Sequence, residues 1–426
     1  MKIENLLKVF SCFTVVCFVI PGLVSAGQLE ITSHTSLALY ERNTRTEQDL
    51  NVIPFYEYLG VDYITDVQGL SFHGYGWGRL NLGDDGYFPD ENEGEILYGY
   101  LEYRHDASKT SVMLGRHHLY SGVSNVSLDG LSMRAALGTN FNLSLYGGSP
   151  ISLSEDGRVG DSVWGGRISN YRSGLYELGL SYKLVQNDDS ADDEKLGVDV
   201  SLNLPHAIGF NGYSTLNLLT DSWAEHSYEI QIPAGTFQFR PFLRLFQYDD
   251  YFSTSNTTPD PFKFLATTGE ELTTIGAEVD WFGAPTYEVN LKLKDIEYDL
   301  RQDSSQYVSA LVIKHLQDLC QVGFELGNMF GHTAETDYFL GRTFVYWNRL
   351  PESVPLEFIS ADLVYVGYRE DIYGQDNSTF ISLGTGKTFL EKALALKFSL
   401  DYSKDPYFDN DLRAMLVAEY TFTHTK

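Results

Sequence analysis

The sequence predicts an all-β chain: a transmembrane, antiparallel, up-and-down β-barrel of about 22 strands (20–22) with no plug domain. Three observations predict it. Apolar residues recur with a period of two in segments of roughly ten residues, the length a tilted membrane strand needs. Past residue 26 no apolar run approaches the roughly 18 residues of a spanning helix. Tyr and Phe number 29 and 26, and aromatic residues make up 14% of the chain, which suits girdles at two membrane interfaces.

Taken in order, the chain opens with Lys2 and Lys8 flanking an apolar run over 9–20, then the small-residue site Val24-Ser25-Ala26. This predicts a secretory signal peptide over 1–26, cleaved after Ala26, and a barrel over 27–426. Cys12 and Cys17 leave with the leader, so the mature chain keeps Cys320 alone. An intrachain disulfide, a C-x-x-C-H haem attachment and a Cys-based zinc site are thereby excluded, and any haem would sit on a partner.

The predicted strands then run 29–40, 53–64, 70–82, 96–104, 111–120, 128–137, 141–151, 163–171, 175–184, 196–204 and 208–219. They continue over 228–232, 237–248, 272–282, 287–298, 307–316, 319–329, 339–347, 358–367 and 380–386. The last two are the clearest. Leu394, Leu396, Phe398, Leu400 and Tyr402 share one parity, with Lys397 and Asp401 on the other. After a turn-rich stretch, Leu412, Ala414, Leu416, Ala418, Tyr420 and Phe422 alternate with Arg413 and Glu419. One such pair also fits a soluble sandwich, and repetition along the whole chain argues for the membrane.

Connections after even-numbered strands are mostly tight, as at 66–69, 138–140 and 283–285. Those after odd-numbered strands are mostly longer or acidic: 84–95, 152–161, 187–195, 249–270 and 369–378. That alternation of periplasmic turns and extracellular loops requires an even strand count and puts both termini in the periplasm. Two irregularities are expected. The apolar parity shifts at Lys294-Asp295-Ile296, marking a bulge or the water line. Pro241 removes a ladder hydrogen bond inside an otherwise regular strand.

The formal net charge of −28 argues against nucleic acid as a partner, because a phosphate backbone selects basic surfaces. His117 and His118 are adjacent in a predicted strand and therefore point to opposite faces, which argues against one shared metal ion. The acidic loops 84–95 and 187–195 hold hard oxygen ligands of the kind calcium takes but no D-x-[DN]-x-[DN]-G loop, and read as solvated, like-charge loops at the cell surface, with divalent cations bridging them to lipopolysaccharide as the alternative. Charges at alternating strand positions are the candidates for lining a pore: Arg134, Arg240, Arg244, Lys292, Lys294, Lys397, Asp401, Arg413 and Glu419. No G-x-S-x-G, H-E-x-x-H or Gly-rich phosphate loop is present, so the chain does not read as an enzyme.

One stretch carries a resemblance. Met113-Leu114-Gly115-Arg116, Asp129-Gly130-Leu131, Leu145-Tyr146-Gly147-Gly148-Ser149-Pro150 and Gly160-Asp161-Ser162-Val163-Trp164-Gly165-Gly166-Arg167 resemble porin-like barrels of deltaproteobacteria. Some of those barrels sheathe a multihaem c-type cytochrome in a porin–cytochrome conduit. The resemblance implies such a cytochrome as a partner in the lumen and assigns no functional residue. A wide barrel without a plug is open or filled by another protein. The expectation is therefore a cytochrome sheath in transmembrane electron transfer, with an open diffusion porin or a surface adhesion barrel as alternatives. Partners are outer-membrane lipid and lipopolysaccharide, and no cofactor is expected on the chain itself.

Overall fold

A computed structural model describes residues 27–42, 50–151, 160–188, 190–252, 269–316, 319–351, 353–406 and 410–425. The leader expected over 1–26, and most of the connection 249–270, lie outside them.

The strands are β1 (Gln28–Arg42), β2 (Leu50–Val52), β3 (Pro54–Ile64), β4 (Leu70–Asn81), β5 (Asn92–His105), β6 (Thr110–Ser121), β7 (Ser124–Leu137) and β8 (Phe141–Ile151). Next come β9 (Ser162–Arg172), β10 (Tyr176–Asn187), β11 (Ser190–Leu204), β12 (Ile208–Asn217), β13 (Ser222–Ala234), β14 (Phe237–Gln247) and β15 (Glu271–Ala284). The circuit ends with β16 (Tyr287–Tyr298), β17 (Asp303–Leu316), β18 (Cys320–Phe330), β19 (Tyr338–Trp347), β20 (Phe358–Ile372), β21 (Gln375–Phe389), β22 (Leu394–Lys404) and β23 (Asp411–Thr425). β2 and β3 pair with β1 in one unbroken register, Arg42↔Leu50 through Gln28↔Ile64, and are two parts of a single stave interrupted at Ile53. The barrel therefore has 22 staves. β1 closes it against β23, from Gln28↔Thr425 to Tyr40↔Arg413, so both ends of the barrel chain lie on one rim.

Closure leaves the sheet without free edges, the condition for strands to cross a membrane. Directly paired residues share a face, so the register sorts the side chains into two sets. Leu114 pairs with Leu131, Ile168 with Leu180, and Leu180 with Val198, and all are 42–57% exposed. Such an apolar outer surface is stable only against hydrocarbon. The opposite parity carries the charges and faces inward.

The expected irregularities resolve as follows. No register shift occurs at Lys294, which pairs with Gly276 in an unbroken ladder. The outward face there reads Val289, Leu291, Leu293, Asp295, Glu297, which marks the water line. Opposite Pro241 the β13–β14 ladder is interrupted between Glu229↔Phe242 and Ile232↔Phe239, while Pro241↔Ala277 on the β15 side is intact. The missing N–H thus opens one ladder and leaves the register unchanged.

Two predicted loops are corrected. Over 187–195 and 369–378 the strands run on, as β10 into β11 and β20 into β21. The second hairpin turns on Tyr373 and Gly374, both with positive φ (49° and 82°), the two-residue turn that matches strand twist. Beyond the membrane a ladder needs no apolar parity, and polar composition therefore concealed these extensions.

Candidate functional site

The lumen is shaped by a crease. Gly115 pairs with Gly130 and Gly130 with Gly148, which makes a row of three glycines across β6, β7 and β8. At this row the wall divides. The β5–β6 ladder stops at Gly99↔Arg116 and the β8–β9 ladder at Gly148↔Val163. β6 and β7 stay paired to Ser121↔Ser124, and β7 and β8 to Ser127↔Ile151. The ends of three strands thus leave both neighbours together, as a lip. A Cβ on Gly130 would lie 2.3 Å from the Gly147 carbonyl oxygen and 2.7 Å from Gly148 Cα, so only glycines allow the backbones to close up here.

The lip folds inward onto the wall. At its tip the Val123 N–H donates to Ser181 Oγ of β10 (3.0 Å), and Gly197 of β11 leaves room for the Val123 side chain. Beneath it Leu119 and Leu128 form an apolar cluster with Tyr146, Val163 and Val185, while Ser124 Oγ and the Tyr146 hydroxyl meet at 2.5 Å. Burying each leucine contributes about 1.5–3 kcal/mol. Inversion of the lip turns its outer face to the lumen, and Tyr120 stands 75% exposed there. Arg116 braces the bend. Its Nε and Nη2 donate to the two Asp129 carboxylate oxygens (3.0 and 3.1 Å), and Nη1 donates to the Ile96 carbonyl (2.8 Å), on the stretch of β5 that lost its neighbour.

A second inward element is the short helix Tyr248–Phe252 that follows β14. Lys195 Nζ donates to the Tyr251 carbonyl (2.7 Å) and Asn217 Nδ2 to that of Asp250 (2.7 Å), which ties the helix to the inner wall. Burial, with Glu225 nearby, pushes the Tyr251 phenol above its ordinary range. Lip, helix and wall enclose a polar cavity of about 800 Å³, lined among others by Tyr120, Arg134, Arg167, Lys183, Lys195 and Glu225. Three of its cations are paired: Arg167 with Asp199 (2.5 Å) and Glu177 (2.9 Å), Lys183 with Asp193 (2.5 Å), Lys195 with Asp193 (3.4 Å).

The register puts all nine sequence candidates on the inward parity, in three separate places. Arg134 lines the cavity. Arg240 and Lys292 both reach Glu278 (2.8 and 2.5 Å), and Arg240 also reaches Asp280 (2.8 Å). Arg244 lies over the Phe242 ring (5.1 Å) and Lys294 over that of Tyr307 (5.9 Å). On the last strands Lys397 pairs with Glu419 (2.7 Å), Arg413 with Asp411 (2.9 Å), and Asp401 sits opposite Arg413 in register. The sequence reading passed over Arg167, Lys183 and Lys195, although each occupies the inward parity of an apolar strand.

His117 is buried, with Nδ1 2.9 Å from the Gly115 carbonyl, and His118 is exposed beside Ser127 Oγ (3.2 Å). The pair points to opposite faces. Among the described residues no three His, Cys, Asp or Glu side chains group as metal ligands.

No protein-family model and no curated protein matches the chain. Solved structures do. The P pilus usher PapC translocation pore superposes with a TM-score of 0.52 at 10% identity, over 93% of this chain and 100% of that one. OccK1 of Pseudomonas aeruginosa gives 0.47 at 9% identity, covering 93% and 99%, and OccAB4 of Acinetobacter baumannii 0.46 at 11%, covering 94% and 99%. At such identities the likeness is one of fold, and the fold is that of a large outer-membrane β-barrel.

Proposed function

We propose that this protein is a constricted diffusion pore of the bacterial outer membrane, exported by its leader and passing small hydrophilic solutes. The lip carries the reading. A barrel of 22 staves is wider than those of about 16–18 that already leave an aqueous channel. A channel that wide discriminates among solutes only if something narrows it, and here three strand ends and a helix project from the wall. Inward-facing ion pairs give the passage a fixed polar lining, which lowers the cost of bringing a hydrated solute through.

The cytochrome sheath falls behind on the same observation, since a threaded protein would compete with lip and helix for the lumen. Nothing in the geometry favours electron transfer or surface adhesion, and no reaction is assigned. The test is conductance of the purified barrel in a planar bilayer. Steady conductance that changes when the lip is altered supports the reading. A folded, inserted barrel that conducts no current would overturn it.

A further inference from the structure

One wall of the lumen differs from the rest. On the inward parity of β3, β4 and β5 the register sets Tyr58 beside Trp77, Tyr75 beside Tyr98, and His73 beside Tyr100. These side chains form a chain of ring contacts. Tyr56 lies 5.9 Å from Trp77 and 6.2 Å from Tyr58, Tyr58 lies 6.3 Å from Tyr75, and Tyr75 lies 5.5 Å from Tyr98. Tyr98 leads to Tyr100 (5.9 Å), which stacks on His73 (5.0 Å). Towards the acidic loop, Tyr40 meets Tyr87 (6.2 Å), and Tyr87 meets Phe88 (4.8 Å). From His73 to Arg79 along β4 the lane covers roughly 20 Å at about 3.4 Å per residue.

Girdle aromatics belong on the outer face at the two interfaces. A lane of partly buried rings that follows the strands inside the lumen anchors nothing in lipid and fills no core. Gly60 packs beside it, where a Cβ would meet Thr32 Oγ1 at 2.3 Å and the ring of Tyr75 at 3.1 Å. The charges among the rings have partners. His73 Nδ1 is 2.5 Å from Asp62, Arg104 pairs with Glu102 (2.7 Å), Arg79 with Glu93 (2.9 Å), and His34 lies 3.5 Å from Glu419. The lane therefore offers ring surface, phenolic hydroxyls and carboxylates with spare lone pairs.

We propose that this lane is a binding track for neutral polyhydroxylated solutes, with a linear saccharide as the chemistry it fits. The C–H faces of sugar rings pack on aromatic surface while their hydroxyls exchange hydrogen bonds with phenols and carboxylates. A repeating ligand suits a repeating track, because each ring can hand a sugar unit to the next. The proposal rests on the pore reading for its transport meaning, and binding itself can be measured without conduction.

The experiment has two arms on the full barrel, with maltohexaose as probe. In a planar bilayer the sugar should interrupt the current reversibly, at a rate that rises with concentration, and the dwell time should fall roughly tenfold in Trp77→Ala and in Tyr75→Ala. Tyr75→Phe, which keeps the ring and loses the hydroxyl, should fall between. In a micelle of a non-saccharide detergent, titration calorimetry should give saturable binding that weakens in the same order. Absence of saturable binding to the wild-type barrel overturns the lane, as does unchanged affinity in Trp77→Ala. Saturable binding by a barrel that conducts no current supports the lane and overturns the pore.

Discussion

Leu128→Ala separates the lip from the barrel that carries it. Leu128 is fully buried, packed with Leu119 against Tyr146, Val163 and Val185. Truncating such a leucine costs about 2–5 kcal/mol. Where that cost appears depends on what the leucine holds. The lip has left the ladders to β5 and β9, so it can lift while the closed sheet below the glycine row stays intact. The loss should then shift the equilibrium between closed and lifted lip, by a factor of roughly 30 to several thousand at 1.4 kcal/mol per decade. Single-channel recording should show frequent excursions to a larger conductance, and urea unfolding of the barrel should keep its wild-type midpoint. A midpoint lowered by the full amount with an unchanged conductance trace would refute this, because Leu128 would then be part of the global core.

Arg116→Lys should also loosen the lip, since a single ammonium cannot grip both Asp129 oxygens and the Ile96 carbonyl together; about 1–3 kcal/mol is at stake, read as faster current fluctuations. Pro241→Val should restore the interrupted β13–β14 ladder and raise unfolding stability by about 0.5–1.5 kcal/mol, checked by urea titration. Asp84 accepts from the Asn51 backbone N–H (2.8 Å) and side-chain amide (3.0 Å), and these bonds hold its carboxyl below the usual range. A depressed pKa means that the link is present above the unfolded value of about 3.9 and is lost as pH falls through the folded one. Loop cleavage by pepsin should therefore rise across that acid window in the wild type, and Asp84→Ala should show high cleavage throughout.

The fold was legible because a membrane strand has to announce itself twice, in length and in parity. Leu412 through Phe422 shows both, and β23 is where that pattern said. Strand ends were less legible, since above the membrane nothing forces alternation. β11 begins at Ser190 within Ser-Ala-Asp-Asp-Glu-Lys, a run indistinguishable from a solvated loop without knowledge of its partner. The inward position of Lys292 or Arg413 could be read from parity alone. Which carboxylate Lys292 would meet could not, because Glu278 becomes its neighbour only through the register between strands, whereas Asp411 is the same-parity neighbour of Arg413 two residues away on β23.

The lip shows the same limit most sharply. Gly115, Gly130 and Gly148 are visible in the sequence as glycines near strand ends, 15 and 18 residues apart. Their spacing has no meaning until two hairpins align them in one row. Once aligned, they remove three Cβ atoms from a single line across the sheet, and the sheet can bend there at low cost. The residues beyond the row then change roles together. Leu119 and Leu128 would face an open lumen if the wall ran straight; bent over, they gain an apolar cluster, and Tyr120 on the other face turns into the passage. Alternation persists through the bend while its meaning inverts. A constriction built this way leaves no local motif, only glycines whose registration the rest of the barrel determines.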